Sequence, residues 1–180
     1  IATVSVVFGQ LYVGTGYRIF SESLGGGVIL DHGSYIVSMS LLIASLIDGV
    51  NIENFDLSEN KKKKIENIDV ESSVKLIIDK KFQASITASF SRDIGNSTTI
   101  KGMNGKISIT NTWNSDVGEI ILDNEKKEVF KIKNEKNIYS REIDEISYDI
   151  LNSKKEASFP GTKKKDILIG SKILDRWINE

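Results

Sequence analysis

Asp31 and Tyr35 stand four residues apart, just behind Gly25-Gly26-Gly27 and inside a long apolar run from Val28 to Ile47. On a helix that spacing puts a carboxylate and a phenol on one face, a pair able to hold and exchange a proton at a bound oxygen. The three glycines release the backbone ahead of them from the usual steric limits. Titratable groups inside an otherwise apolar segment are the first place to look for chemistry. The plainer alternative is a core tyrosine whose hydroxyl is satisfied by the nearby carboxylate. A phenol ordinarily titrates near 10, so as a proton donor around neutrality it profits from a nearby cation. The run itself carries no lysine.

Other candidates fare less well. His32 is the only histidine, but one residue along a helix is a rotation of roughly 100°, which takes it off the face of Asp31 and Tyr35. Beside Asp31 it could serve as a general base, but off that face it reads instead as structural or peripheral. Gly25 to Gly27 lack the preceding strand and the later acidic residue of a dinucleotide loop, and show only that a backbone passes close to something. Lys61 to Lys64 and Lys163 to Lys165 are flanked by acidic residues without interleaved aromatics, so they read as solvated surface.

Composition narrows the classes further. The 24 basic and 25 acidic residues leave a net charge of -1, which gives no reason to expect nucleic acid or an anionic membrane as partner. The absence of cysteine excludes disulfides and thiolate chemistry, and a single histidine makes a zinc site implausible. The run from Tyr35 to Ile47 is shorter than the about 20 apolar residues a membrane span requires. A small-molecule or protein partner and a cytoplasmic location are expected.

The elements that position the pair are legible in outline. Alternating, β-branched residues predict a strand over 1–13, and a loop with Gly14, Gly16 and Arg18 follows. The helix behind the glycines is apolar all round, which requires cover on more than one side. Hairpins are predicted for 73–79 with 82–90 about a turn at Lys80-Lys81, for 98–101 with 106–110 about an Asn-Gly turn, and for 119–122 with 128–132. Ile143, Ile146, Ile150 and Leu151, then Ile167, Leu168, Leu174, Trp177 and Ile178, fall at helical spacing and predict two closing helices. Residues 1–180 are expected to form a single α+β domain. Its core is one large, predominantly antiparallel open sheet of six or more strands with helices on one face. The other face is expected to be exposed or paired with another subunit.

Arg18-Ile19-Phe20 followed by Leu24-Gly25-Gly26-Gly27-Val28-Ile29-Leu30-Asp31-x-Gly33-x-Tyr35 resembles the R-x-F…LGGGxLLDxGxY string of the C-terminal domain of the glucose-fructose oxidoreductase, inositol dehydrogenase and MocA (Gfo/Idh/MocA) oxidoreductases. Ile100 to Ile107 is similar to that family's I-x-G-x-x-G-x-L hairpin, and Tyr139-x-x-Glu142-Ile143 with Lys154, then Asp166 to Asp175, resemble its closing helices. Tyr35 and Ser38 stand where the inositol branch has a histidine and an aspartate, so the chain looks like the tyrosine-type branch of glucose-fructose oxidoreductase and dihydrodiol dehydrogenase.

The resemblance implies a glyceraldehyde-3-phosphate dehydrogenase-like C-terminal domain that supplies the substrate side of an enzyme using NAD or NADP. The nucleotide would be held mainly by an N-terminal Rossmann domain absent from this chain, with Ile1 about where the second domain begins, as in an excised half. Tyr35 would exchange the proton of a sugar or polyol oxygen, and Asp31 would orient Tyr35 or the substrate. The cation that assists the phenol would be a lysine of the absent domain. Arg18 would contact substrate or lie on the surface, and Gly26, Gly27 and His32 would border the bound substrate. The isolated chain is expected to be inactive, and a homo-oligomer is expected through the open sheet face. The alternative is a stand-alone, non-catalytic sheet domain serving assembly.

Overall fold

A computed structural model describes residues 2–12, 18–113, 117–133 and 137–180. The elements run β1 (Ala2–Gly9), α1 (Val28–Ser45), β2 (Phe55–Ile65), β3 (Ile68–Ile78), β4 (Phe82–Ser89), β5 (Gly95–Lys101), β6 (Lys106–Thr110), β7 (Val117–Asp123), β8 (Lys127–Lys133), α2 (Ile138–Leu151) and α3 (Lys164–Asn179). The strands form one open sheet in the order β2-β3-β4-β1-β5-β6-β7-β8. All neighbours are antiparallel except β1 and β4, which run parallel. The expected loop residues Gly14 and Gly16 lie outside the described residues.

The predicted hairpins are present as β3-β4, β5-β6 and β7-β8. The first turns at Asp79-Lys80, one residue earlier than expected. Both residues take positive φ at the centre of a turn closed by Lys81 N donating to Ile78 O, within a three-residue loop between the paired Ile78 and Phe82, and the Asp79 carboxylate accepts from Asn51 N and Asn54 Nδ2. The strand expected over 1–13 ends at Gly9, although Gln10 N and Tyr12 N still donate to Ser89 O and Phe90 O. The Lys61 to Lys64 run, expected as plain surface, lies in β2 at one edge of the sheet, where the register to β3 shifts twice.

Register sorts the two faces. Val4, Ala84, Ile100, Ile107 and Leu122 line up across the helix-bearing face, while Ser5, Ser85, Thr99 and Ser108 line up across the other. The open face is therefore polar and rich in hydroxyls. On the helix side, α1 packs on β1, β3 and β4, and α3 packs on α1 and reaches β2. Length and apolarity would let α1 cross a membrane, but more than half of it is buried and it serves as a core helix.

The α1-α3 contact rests on Gly33, where an added Cβ would come within 3.0 Å of the Trp177 ring, and on Gly170 opposite Val37 and Leu41. Trp177 is fully buried and its Nε1–H donates to Ser72 Oγ at 2.9 Å, tying the last helix to β3. By contrast α2 stands away from the sheet, with Ile143, Ile146 and Ile150 each more than half exposed. Its apolar spacing reported an amphipathic helix but not what covers it. Removing the Trp177 indole leaves a large cavity under α3. Trp177→Ala is expected to cost about 3–5 kcal/mol of unfolding free energy and Trp177→Phe distinctly less, measured by urea denaturation followed by circular dichroism. A Trp177→Ala loss no larger than that of an exposed residue would show that α3 adds little to the core.

Candidate active site

The start of α1 is built by the chain folding back on itself. Gly26 N donates to Ser21 O and Gly27 N to Ile19 O, at 2.8 and 2.9 Å. A Cβ at Gly26 would strike those same carbonyls, and one at Gly27, where φ is 112°, would strike the Asp69 carboxylate. Asp69, from β3, accepts the Ile29 N–H at 2.8 Å. It supplies the cap that Gly27 has no side chain to provide. The positive end of the helix is thereby met by an anionic side chain of the protein. Phosphates of a dinucleotide do not fit there, in keeping with the reading that the glycines mark no nucleotide loop.

One turn on, Arg18 Nη2 donates to Asp31 Oδ1 at 3.0 Å and Nη1 to Gly25 O at 3.3 Å. Arg18 is thus bound to the site aspartate. Asp31 Oδ2 lies 3.8 Å from His32 Nε2. Although the two residues point about 100° apart along the helix, the imidazole edge reaches the carboxylate. His32 is 2% exposed. Its ring stacks on Phe8 at 3.8 Å, meets Phe90 edge-on, and Nδ1 sits 3.2 Å from Phe8 O. Burial pushes its pKa down, against the pull of Asp31, so the ring is neutral at pH 7. A carbonyl only accepts, so Nδ1 carries the proton and Nε2 is a lone pair facing a carboxylate. Two acceptors 3.8 Å apart form a notch for a donor such as a hydroxyl.

Tyr35 is 55% exposed. Its ring is edge-on to Phe8 and to Trp113, at 5.8 and 6.0 Å. Among the described residues no hydrogen bond joins it to Asp31, whose hydrogen bond goes to Arg18. The core-tyrosine alternative is therefore excluded by exposure, and direct orientation of Tyr35 by Asp31 is not the arrangement seen. Tyr12, which no motif singles out, belongs to the same group: burial first, then the charge of Asp31 and the phenol of Tyr35, push its pKa up.

Opposite Tyr35 lies the segment leading into α3. Asp149 accepts from Ser158 N at 2.7 Å, Ser158 Oγ at 2.8 Å and Lys154 Nζ at 3.0 Å. Lys154 Nζ also donates to Ser158 Oγ at 2.6 Å, which brings a serine and a lysine together as in some nucleophile pairs. Asp149 holds the Lys154 amine above its ordinary value, protonated and unable to act as a base. The cluster is a staple that fixes the loop carrying Pro160 and Thr162 to the end of α2.

Two outcomes follow from this geometry. Gly27→Ala is expected to cost about 1–3 kcal/mol of stability through strained backbone, and Asp69→Ala about 1 kcal/mol through the lost cap. Because they collide with each other, the double variant should cost less than the sum in thermal unfolding; simple additivity would mean the two do not meet. The Asp149 carboxyl is held down to about 2 from 3.8, first by the Ser158 N–H and then by Lys154 and the Ser158 hydroxyl. A depressed carboxyl contributes stability that is complete above its unfolded pKa and fades as pH falls from about 4 towards 2. The Ser158 amide should accordingly lose protection from hydrogen exchange in that window, and an amide indifferent to pH there would refute the staple.

In sequence the chain matches no protein-family model and no curated protein. In structure it is similar to aldose-aldose oxidoreductase from Caulobacter crescentus, crystallised with glycerol, at TM-score 0.77 and 17% identity over 98% of this chain and 52% of that one. KijD10, a 3-ketoreductase from Actinomadura kijaniata in complex with NADP and TDP-benzene, matches at 0.75 and 15% over 96% and 51%. The UDP-N-acetylglucosamine 3-dehydrogenase GnnA from Acidithiobacillus ferrooxidans matches at 0.69 and 13% over 98% and 51%. The chain spans about half the length of these structures. Its eight-stranded sheet and helices have the α+β fold of the C-terminal domains of Gfo/Idh/MocA-type oxidoreductases, the fold that its glycine-rich motif implies.

Proposed function

We propose that this chain is the substrate-side domain of an NAD(P)-dependent oxidoreductase acting on a sugar or polyol-like hydroxyl or carbonyl. The observation that carries the reading is Tyr35, a half-exposed phenol on the same helix face as a carboxylate already paired with Arg18. The fold it shares with an aldose-aldose oxidoreductase and a 3-ketoreductase crystallised with NADP supports the same class. NAD or NADP, held elsewhere in a longer protein, would accept or return the hydride. This chain's residues do the proton work: Tyr35 gives a proton to, or takes it from, the substrate oxygen. The acceptor notch of Asp31 Oδ2 and His32 Nε2 binds a neighbouring hydroxyl, and Arg18 holds the Asp31 carboxylate in place.

A cytoplasmic homo-oligomer joined through the hydroxyl-rich sheet face belongs to the same proposal. A second reading, a non-catalytic assembly domain, is favoured by one observation, the exposed apolar side of α2. Substitution of Tyr35 by Phe in a longer protein containing this chain separates the two. The oxidoreductase reading expects kcat to fall by about 10²–10⁴ with nucleotide binding intact, and the 180-residue chain alone to show no turnover with NAD(P)H. Near-normal kcat in Tyr35→Phe would sink the role of the phenol, and a longer protein inert towards every polyol and sugar tested would favour assembly.

A further inference from the structure

Beside Tyr35, on the side away from Asp31, lies a hollow of about 390 Å3 bounded by Tyr35, Met39 and Leu42 of α1, by Trp113 and by Pro160, with the hydroxyl residues Ser34, Ser38 and Thr162 also on its walls. Proton exchange makes no use of it. Its volume falls within the range of about 300–1,000 Å3 typical of small-molecule sites. None of the described residues that line it carries a charge. The Trp113 and Tyr35 rings meet at 62° with centroids 6.0 Å apart, forming an aromatic corner. That corner is fixed in advance. Trp113 Nε1–H donates to Val7 O at 3.2 Å, and its ring lies on Phe8 at 5.5 Å. The staple on Asp149 and Ser158 holds the loop that brings Pro160 to the opposite wall.

We propose that this hollow is a substrate subsite for a flat, uncharged ring attached to the part of the substrate that Tyr35 handles; what is attached rests on the oxidoreductase reading above. A phosphate would find no cation on these walls. A second polyol finds the hydroxyls of Ser34, Ser38 and Thr162 but gains nothing from the corner of Tyr35 and Trp113, which only a ring uses. A ring can stack on one aromatic wall and present its edge to the other, while the Met39 thioether adapts to its outline. The polarity of the site thus changes along α1, from the ion pair at Asp31, through the phenol, to the apolar corner.

The test uses the 180-residue chain and its two tryptophans. Trp177 is fully buried under α3, away from the hollow, so its indole signal is an internal control. Indole N–H resonances would be followed by NMR during titration with phenyl β-D-glucoside and with methyl β-D-glucoside. The Trp113 resonance is expected to move at about two- to tenfold lower concentration with the phenyl glycoside, the size of aromatic-pair preferences, while Trp177 stays still. Ser38 is exposed on α1, so Ser38→Phe should fill the hollow without disturbing the core and abolish the preference. Equal response to the two glycosides, no movement of Trp113 at millimolar phenyl glucoside, or a preference that survives Ser38→Phe would overturn the subsite. Turnover of both glycosides by a longer protein without phenyl preference removes the subsite and leaves the oxidoreductase reading. Phenyl preference in binding without any turnover does the reverse.

Discussion

The first turn of α1 is anchored by one contact, the Asp69 carboxylate set against the helix start. Asp69 belongs to β3, which pairs with β4, which pairs in turn with β1. Its hydrogen bond to Ile29 N therefore couples the helix to three strands of the sheet. The contact exists only because Gly27 lacks a Cβ. With the first turn anchored, the backbone folding over Ile19 and Ser21 carries Arg18 to Asp31. The glycine triplet is thus a device for close packing of the chain upon itself, and its relation to chemistry is indirect: it decides where Asp31 and Tyr35 stand.

From that anchor α1 divides cleanly. Val28, Ile29, His32, Gly33, Ile36, Val37, Ser40 and Leu41 are buried against the sheet and α3. Asp31, Tyr35, Ser38 and Leu42 form a stripe at helical spacing on the opposite side. A helix whose sequence reads as apolar all round is therefore covered on one side and, along this stripe, free to meet a ligand. His32 lies on the border. It is packed like a core residue between Phe8 and Phe90 yet keeps one nitrogen towards Asp31, so the neutral, tautomerically fixed ring is both part of the core and a boundary of the site.

How much of this was legible depended on the range of the interaction. The three hairpins could be read because alternation and turn residues are local signals, and the shared face of Asp31 and Tyr35 because four residues make about one helical turn. The parallel pairing of β1 with β4 leaves no local trace, and β2 was obscured because lysines at its edge break the apolar alternation. Asp69 lies far along the chain from the helix it caps, and no spacing rule joins them. Gly33 stood out as a motif residue, but its reason, the approach of the Trp177 ring, is a tertiary fact. Tyr12 and Trp113 stood in no motif. Each comes from a segment flanking a strand and enters the site only when the sheet brings β1, α1 and the end of β6 together.

The lysine-bearing edge has a consequence for growth of the sheet. A free edge offers unpaired backbone groups to any passing strand, and long, cationic side chains with irregular register deny them that use. On β2, Lys61 to Lys64 and two register shifts blunt one end; β8 at the other end also bears Lys127, Lys131 and Lys133 but keeps an unbroken register and exposes Val129 and Phe130. The two margins of the sheet therefore differ in register, irregular at β2 and regular at β8. A strand added from another polypeptide would meet a regular ladder only at β8, the margin far from α1 and its polar stripe.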